Sequence, residues 1–366
     1  MMHTATVRQL LATLPTPPRL VAGDGIAADA PMDLLVADSR RATIGSLFVC
    51  IKGAKADGHR YLAAAYAAGC RCFLVEHQPD APLPPDACLY LSDDTRRDLA
   101  LLAAAYYEHP ARQMKVIGIT GTKGKTTTTY MIKSILETAG MKVGLIGTTG
   151  NMIGEKRIAS NYTTPDPIDL QRDLRAMVDE GVKAVVMEVS AHAIDMFRLD
   201  GLSFEVGAYT NLSQDHLDYF GTMENYFECK KKFFTSGMVR NAVLNVDEDT
   251  SVGILRDIEV PHLTFGIAAA ADLFARDIEI SENVEHLNYF LTLLFRKCSF
   301  RPGQLPILNR ALQAKGVIGL LPTGGGKSLT YQLAAMLQPG VTIVIDPLKS
   351  LMEDQFDGLI SAGIDC

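Results

Sequence analysis

No stretch of the sequence is apolar over the roughly 18 residues that a membrane span requires, and no basic segment followed by an apolar run stands at its start. An excess of positive charge is missing as well, because 35 Lys and Arg residues face 42 Asp and Glu residues, for a net charge of −7. The first two absences predict a cytoplasmic protein without membrane contact. The third leaves no global electrostatic reason to bind DNA, so any nucleic-acid contact must come from a local patch.

The seven cysteines are an odd number and are scattered along the chain. Cys70 and Cys72 form the only close pair, and no second pair accompanies them. The cysteines therefore predict reduced, buried thiols of a cytosolic protein, not a disulfide framework or a zinc site.

Ordinary composition, with 48% hydrophobic and 21% charged residues, excludes a disordered, collagen-like or coiled-coil chain. A length of 366 residues suggests two or three domains, and we expect three. Alternating strand-like and helical runs predict an α/β fold with a parallel sheet, whose ligands bind at the carboxyl ends of the strands. The predicted strands are residues 34–37, 47–51, 72–75, 116–120, 143–146, 184–189, 204–210 and 243–245, and helical runs cover 61–68 and 95–107.

Two changes in composition place the domain boundaries. A Pro-rich loop and the His109-Pro110 pair suggest a boundary near residue 110, and an alanine-rich, then acidic stretch suggests a junction near residue 283. The expected domains are a small N-terminal α/β domain over 1–110, a central parallel-sheet domain with a phosphate loop over 111–282, and a partial second phosphate-loop α/β unit over 283–366.

The first phosphate loop follows a predicted strand and opens a predicted helix. Free backbone N–H groups and the helix dipole favour a polyphosphate there, Lys125 can reach the β/γ oxygens, and the Thr126 hydroxyl can hold Mg²⁺. A glycine-rich turn that only caps a helix is the alternative. The candidate nucleotide-binding residues are Gly121, Thr122, Gly124, Lys125, Thr126 and Thr127 in this loop, together with Asn211 later in the chain.

Two polar clusters also end predicted strands. Glu188 ends one strand, from which its carboxylate can reach a metal at the loop, although a lone glutamate could equally belong to an edge strand. His216 lies in the polar turn 211–218, which begins with Asn211, and we predict it as a metal ligand because Glu188 and Lys125 share its sheet end. Taken alone, His216 would be an ordinary surface or core histidine.

Together, these segments resemble the Mur ligases, and among them the branch that adds the third amino acid of the peptidoglycan stem peptide. The segments are Thr-Gly-Thr-Lys-Gly-Lys-Thr-Thr at 120–127, Asn-Tyr-Thr-Thr-Pro-Asp-Pro at 161–167, Glu-Val-Ser-Ala-His at 188–192 and Asp-His-Leu-Asp-Tyr-Phe-Gly-Thr at 215–222. In the first domain, Asp-Ser-Arg at 38–40 and Asp-Gly-His at 57–59 resemble the uridine-nucleotide-binding module of that family.

The resemblance implies an ATP-dependent ligase that forms an amide through an acyl phosphate, with ATP, Mg²⁺, UDP-N-acetylmuramoyl-dipeptide and a free amino acid as its ligands. It implies that Ser39 and Arg40 lie near the UDP group and that three residues contact the muramoyl peptide: Thr163, Thr164 and Ser190. It further implies that Lys125, Glu188, His216 and Lys230 are catalytic and that Thr126, Glu188, His216 and a carbamylated Lys230 bind Mg²⁺. A solvated helix face is the alternative for Lys230. We expect a monomer.

A second phosphate loop, Thr-Gly-Gly-Gly-Lys-Ser at 323–328, resembles with its flanks the opening motifs of RecQ-like DNA helicases. The resemblance assigns Gln304 to adenine and assigns Gly326, Lys327 and Ser328 to phosphate and Mg²⁺. Neither an Asp-Glu-x-His motif nor a C-terminal ligase domain follows, so we expect an impaired ligase and at most weak nucleic-acid contact through 283–366. A helicase fragment and a non-functional chimeric reading frame are the alternatives, and the amino acid that is added stays undetermined.

Overall fold

The computed structural model describes residues 6–53, 56–158, 162–267, 270–274, 284–312 and 327–337. The chain forms two compact units, Met1–Phe274 and Ala275–Cys366. The first unit holds two separate β-sheets, one on each side of residue 110. The predicted α/β fold class is confirmed, whereas the bounds of the three domains stay predictions.

The N-terminal sheet has the strand order β1-β5-β4-β3-β2, in which β1 runs antiparallel to β5 and the other neighbours are parallel. Its elements are α1 (Val7–Leu11), β1 (Arg19–Ala22), β2 (Leu34–Val36), β3 (Ser46–Val49), α2 (Leu62–Ala67), β4 (Cys72–Val75), β5 (Cys88–Leu91) and α3 (Thr95–Tyr106). Strands β3 and β4 are buried throughout, because helices cover both of their faces. The three strands predicted here are confirmed, and β1 and β5 were not predicted.

The larger sheet contains the first phosphate loop. Its strands are β6 (Lys115–Thr120), β7 (Val143–Ile146), β8 (Asn151–Ile153), β9 (Lys156–Ile158), β10 (Ala184–Glu188), β11 (Val206–Tyr209), β12 (Ala242–Asn245), β13 (His262–Gly266) and β14 (Leu273–Phe274). Its helices are α4 (Lys125–Thr138), α5 (Pro167–Asp179), α6 (Ala191–Asp195), α7 (Leu217–Phe220), α8 (Met223–Thr235) and α9 (Ser251–Asp257). The strand order is β14-β13-β12-β11-β6-β10-β7-β8-β9, and all neighbours are parallel except in the antiparallel β7-β8-β9 ribbon.

Strand β10 lies between β6 and β7 and shows how this sheet is buried. Its residues alternate between two cores, since Val185 and Met187 pack into the large cluster and Val186 packs with Ile119 on the other face. All five residues of β10, including Glu188, are buried. Because β6, β10 and β11 are parallel, their carboxyl ends meet at one edge and bring the loops that follow them together.

The second unit is described through α10 (Val284–Phe295), α11 (Gln304–Leu312) and α12 (Lys327–Leu337). Their apolar core consists of Leu287, Leu308, Leu312, Leu333 and Ala334. Gly326 and the side chain of Lys327 lie outside the described residues. Among the helices in the described ranges, none has the length and apolar character needed to cross a bilayer.

Candidate active site

The phosphate loop connects β6 to α4 through two glycines with positive φ. Gly121 has φ +143° and Gly124 has φ +83°, both in the region that favours glycine. A Cβ at Gly121 would overlap the hydroxyl of Thr210, so the loop lies directly against the end of β11. The sequence therefore needs glycine at 121 for close approach as well as for its backbone conformation.

Two lysines converge on this loop. Lys125 Nζ donates to the carbonyl oxygens of Gly121 (3.0 Å) and Thr122 (2.9 Å), and Lys230 Nζ donates to the same Gly121 oxygen (2.9 Å). Lys230 is only 1% exposed, and its ammonium lies 4.6 Å from the ring centroid of Tyr226. Burial, with Lys125 as a second cause, lowers the pKa of Lys230 to about 7.

Glu188 meets the loop from the end of β10. Its Oε1 accepts from Thr126 Oγ1 (2.9 Å) and from the backbone N–H of Thr148 (2.9 Å), and its Oε2 accepts from Thr148 Oγ1 (3.2 Å). Burial raises the pKa of this carboxyl, although the hydrogen bonds from Thr148 and Thr126 oppose the shift. A hydroxyl and a carboxylate 2.9 Å apart form an oxygen donor set of the kind that Mg²⁺ prefers.

His216 lies at the same end of the sheet, in the turn after β11. It starts α7 in the left-handed region with φ 53°, and its ring packs 4.8 Å from that of His192 and 6.0 Å from that of Tyr226. Its Nε2 lies 3.6 Å from an Asp215 carboxylate oxygen. Burial, with a smaller effect from His216, lowers the pKa of His192. The role of His216 as a ligand stays a prediction.

The three residues predicted to contact the muramoyl peptide form one hydrogen-bonded group beside Glu188. Thr164 Oγ1 donates to the Glu188 carbonyl (2.9 Å), and the Ser190 N–H donates to Thr164 Oγ1 (3.2 Å). Thr163 Oγ1 lies 3.0 Å from Thr148 Oγ1. Because Thr164 is buried and already bonded, it fixes the loop after β9 to the end of β10.

A cavity of about 330 Å³ opens next to this group, between the two sheets of the first unit. It is lined by Ala37, Asp38, Arg41, Ile51, Arg96, Leu99, Asp166, Pro167, Ile168, Asp169, Met196 and Arg198. Arg198 joins the cavity to the Thr-Thr-Pro segment, since its Nη1 donates to the Thr164 carbonyl (2.9 Å) and its Nη2 lies 3.2 Å from Asp166 Oδ1. Arg198 was not among the predicted site residues, because it belongs to none of the motifs and only the folded chain brings it to the cavity.

Ser39 and Arg40 form a 3₁₀ turn, Ser39–Arg41, which Asp38 caps. The Arg40 side chain is 87% exposed and pairs with Asp38 at 2.6 Å. Asp38 and Arg41, which flank Ser39 and Arg40 in the sequence, line the cavity. The predicted segment therefore borders the cavity, and the contribution of each residue to it stays a prediction.

The remaining predicted nucleotide residues lie in different places. Thr122 is buried, Thr127 is half-buried in the first turn of α4, and Asn211 turns its side-chain amide to the backbone of Lys123. In the second unit, buried Gln304 begins α11 and its Oε1 accepts from the Arg301 N–H (2.7 Å), while half-buried Ser328 lies in α12.

Asp57, His59 and His77 lie close enough together to suggest a metal site in the N-terminal sheet region. Both ring nitrogens of His59 already have partners, however, because Nδ1 lies 2.6 Å from Asp57 Oδ1 and Nε2 accepts from the Glu76 N–H at 2.9 Å. His59 therefore fixes its own turn and offers no free ring nitrogen to a metal.

Comparison with known proteins places this site in a family. The family described as "Mur ligase middle domain" matches residues 119–301, half of the chain, and "DEAD/DEAH box helicase" matches the shorter range 301–365. The chain belongs to the Mur ligase family.

Two curated relatives carry the name UDP-N-acetylmuramoyl-L-alanyl-D-glutamate--2,6-diaminopimelate ligase. The one from Clostridium botulinum is 42% identical over 250 residues, which are 68% of this chain and 51% of the relative. The one from Geobacillus thermodenitrificans is 41% identical over 251 residues, or 67% of this chain and 50% of the relative. The chain thus spans about half the length of the curated relatives it matches.

Two solved structures share the fold. A UDP-N-acetylmuramoyl-L-alanyl-D-glutamate--2,6-diaminopimelate ligase has a TM-score of 0.65 and 25% identity, covering 76% of this chain and 56% of its own. MurF from Acinetobacter baumannii has a TM-score of 0.52 and 24% identity, covering 77% and 57%.

Proposed function

We propose that this chain is the ATP-binding and UDP-sugar-binding part of an ATP-dependent amide ligase that adds the third amino acid to UDP-N-acetylmuramoyl-L-alanyl-D-glutamate. One observation supports this above the others: the phosphate loop touches Glu188 through Thr126, and the backbone of Glu188 is tied through Thr164 to the wall of the cavity. A nucleotide site and a substrate site thus adjoin at one sheet end. According to their names, the two curated relatives described above act on the same muramoyl dipeptide and add 2,6-diaminopimelate to it.

The proposed chemistry has two steps. A stem-peptide carboxylate oxygen forms a bond to the γ-phosphorus of ATP, the β–γ bridging bond breaks, and ADP leaves. The amino group of the incoming amino acid then forms a bond to the acyl carbon, loses a proton, and displaces inorganic phosphate. The first step brings two anions together, and Lys125 lies where its ammonium can neutralise the developing charge.

Thr126 and Glu188 would hold Mg²⁺, and the ion when bound would neutralise phosphate charge. Lys230 fits such a site only after modification, because an ammonium cannot ligate a cation whereas a carbamate offers carboxylate-like oxygens. With a pKa of about 7, a substantial fraction of Lys230 is a neutral amine at physiological pH, the form that reacts with CO₂. The same burial that lowers the pKa thus raises the share of the reactive neutral amine.

The cavity is the proposed site of the UDP-N-acetylmuramoyl-dipeptide. It combines apolar walls with the guanidinium groups of Arg41, Arg96 and Arg198, which suit the diphosphate and carboxylates of that ligand. Arg198 is held in place by the Thr164 carbonyl and Asp166, so it is already oriented.

Calorimetric titration with UDP-N-acetylmuramoyl-L-alanyl-D-glutamate tests this assignment. We expect one-to-one binding that Arg198→Met weakens by at least tenfold, since a charged hydrogen bond contributes about 1.5–3 kcal/mol. Arg175→Met is the matched control, because Arg175 pairs with Asp179 on α5 and does not line the cavity. Absence of binding by the unmodified chain, or equal weakening by both variants, would refute the assignment.

The match of residues 301–365 to the helicase family supports a second candidate, an ATP-binding helicase segment in the second unit. DNA-stimulated ATP hydrolysis tests it. The helicase hypothesis predicts stimulated turnover that Lys327→Ala abolishes and Lys125→Ala leaves, whereas our proposal predicts no stimulation by DNA.

A further inference from the structure

The side-chain amide of Asn211 forms two hydrogen bonds with the backbone of one residue of the phosphate loop, Lys123. Its Oδ1 accepts from the Lys123 N–H (2.8 Å), and its Nδ2 donates to the Lys123 carbonyl (3.1 Å). Both hydrogen-bonding ends of the side-chain amide are therefore engaged with the same residue. These two bonds fix the orientation of the amide against the loop, with one donor and one acceptor position of the side chain remaining.

Thr210, the residue before Asn211, adds a second contact at the same place. Its Oγ1 lies 2.8 Å from the Lys123 carbonyl, so that oxygen is approached by two side-chain donors from the end of β11. The same hydroxyl is the atom that a Cβ at Gly121 would overlap. Loop and strand end thus fit each other without space between them.

The backbone continues this fit on either side. The Thr122 N–H donates to the Asn211 carbonyl (2.9 Å), and the Ser213 N–H donates to Thr122 Oγ1 (3.0 Å). Together these contacts turn the Lys123 carbonyl toward the strand. A carbonyl facing the phosphate would repel it, whereas the first N–H groups of α4 have no partners within the helix and can face an anion.

We propose that Asn211 and Thr210 are positioning residues that hold the phosphate loop in its polyphosphate-binding shape, and that neither contacts the nucleoside. The inference rests on the proposed function, because it takes this loop to be the ATP site. It assigns to Asn211 a role different from the direct nucleotide contact that the sequence predicted.

Displacement of a fluorescent ATP analogue, measured with Mg²⁺ on the full chain, separates the two roles. Unlabelled ATP and inorganic tripolyphosphate serve as competitors for the unmodified chain and for Asn211→Leu. We expect Asn211→Leu to weaken both competitors by the same factor, about tenfold, which is the effect of one or two lost hydrogen bonds. Asn241→Leu is the matched control, since the Asn241 amide donates to the Glu205 carbonyl at the opposite end of β11 (2.9 Å).

A second pair of variants keeps the test informative if Asn211→Leu folds poorly. Thr210→Val removes the hydroxyl at nearly constant volume and should weaken both competitors, whereas Thr210→Ser retains the hydroxyl and should weaken them less. Weakening of ATP without weakening of tripolyphosphate would overturn the proposal, because it would place Asn211 on the nucleoside. Failure of tripolyphosphate to displace the analogue from the unmodified chain would overturn it too.

Lys125→Ala distinguishes failure of this inference from failure of the proposed function. If Lys125→Ala leaves analogue binding intact, the loop is not the ATP site and the proposed function fails. If Lys125→Ala abolishes binding while Asn211→Leu and Thr210→Val leave both competitors unchanged, only the positioning role is wrong.

Discussion

Lys230 is a buried lysine whose pKa is lowered by its surroundings. It is the first of three consecutive lysines, followed by Lys231 and Lys232, in a run that by itself is typical of a solvated helix face. The structure instead places Lys230 at 1% exposure inside α8, whereas Lys231 pairs with Glu228 and Asp257 at the surface. Helical geometry separates neighbours in sequence by about 100°, so one lysine of three can face the core.

Replacement of Lys230 by methionine should stabilise the protein. The folded-state pKa of about 7 lies below the ordinary 10.5, so the unfolded chain binds more protons between these values and the unfolding free energy rises with pH across that window. Lys230→Met removes this buried cation and should raise the unfolding free energy by about 1–4 kcal/mol at pH 7, with less gain at pH 10. Urea unfolding followed by circular dichroism at both pH values measures it.

Lys232→Met is the control for that experiment, because Lys232 is exposed on the same helix. Its unfolding free energy should stay within about 0.5 kcal/mol of the unmodified chain. Loss of stability in Lys230→Met at pH 7 would show that the Lys230 hydrogen bond to Gly121 outweighs the burial of its charge.

At the scale of elements, most strands whose form follows from their own apolar residues could be predicted, although the apolar β5, Cys-Leu-Tyr-Leu after the Pro-rich loop, was missed. Strands β4, β6, β7 and β10 each contain a continuous apolar run and are followed by turn or loop residues, and all of them were predicted from the sequence. The phosphate loop was predicted as well, because its residues are adjacent in sequence.

Short strands at the sheet edges could not be predicted in the same way. Strand β9 reads Lys-Arg-Ile and β14 has only Leu273 and Phe274. The first is mostly charged and the second is too short for a recognisable pattern, so each is identified as a strand only through pairing with its neighbour. The cavity lining is a similar case, because Arg96 and Arg198 come from separate elements and meet only in the folded chain.

Gly147, directly after β7, offers a test of how the strand ends fit together. A Cβ at this position would overlap Glu188 Oε1, and the Gly147 backbone itself imposes no need for glycine. Gly147→Ala should therefore displace the carboxylate from Thr126 and weaken Mg²⁺-dependent ATP binding by about tenfold. Measurement of ATP affinity over a series of Mg²⁺ concentrations shows the effect.

Gly144→Ala is the matched control on the same strand. Its Cβ would meet Met177 on the opposite side of β7, so it should lower stability and leave ATP affinity unchanged. In a Glu188→Ala background, Gly147→Ala should weaken Mg²⁺-dependent ATP binding no further, because its steric partner is gone. If the losses of ATP affinity in the two single variants add up in the double variant, Gly147 acts through another contact.

On the scale of the whole molecule, an ion pair joins the two sheet regions of the first unit. Arg97 on α3 donates from Nε to Asp200 Oδ2 at 2.9 Å, and the Asp200 carboxylate is buried. Burial raises the pKa of Asp200, and Arg97 opposes that shift. The cavity lies between the same two regions, so this pair holds together the walls of the proposed substrate site.

Removal of Arg97 should destabilise the first unit, because it leaves a buried carboxylate without its cation. We expect Arg97→Ala to lower the unfolding free energy by about 1–3 kcal/mol at pH 7, a value reduced by the exposure of the arginine. The loss should diminish at pH values low enough to protonate Asp200, since the neutral acid needs no cation. Urea unfolding at pH 7 and pH 5 measures both.

Asp200→Asn in the Arg97→Ala background should recover part of that stability at pH 7, because the amide carries no charge. A double variant less stable than Arg97→Ala would contradict the electrostatic explanation. The cytoplasmic location, the monomeric state and the function of residues 283–366 stay predictions.

A calorimetric series with Mg²⁺-ATP and UDP-N-acetylmuramoyl-L-alanyl-D-glutamate, on the unmodified chain and on Glu188→Gln, tests whether the phosphate loop and the cavity form one ligase site. We expect both ligands to bind together, one to one, and Glu188→Gln to weaken ATP binding in the presence of Mg²⁺ while the UDP-N-acetylmuramoyl-dipeptide still binds. If the dipeptide fails to bind, or if ATP binding is indifferent to Glu188, the phosphate loop and the cavity do not form one ligase site.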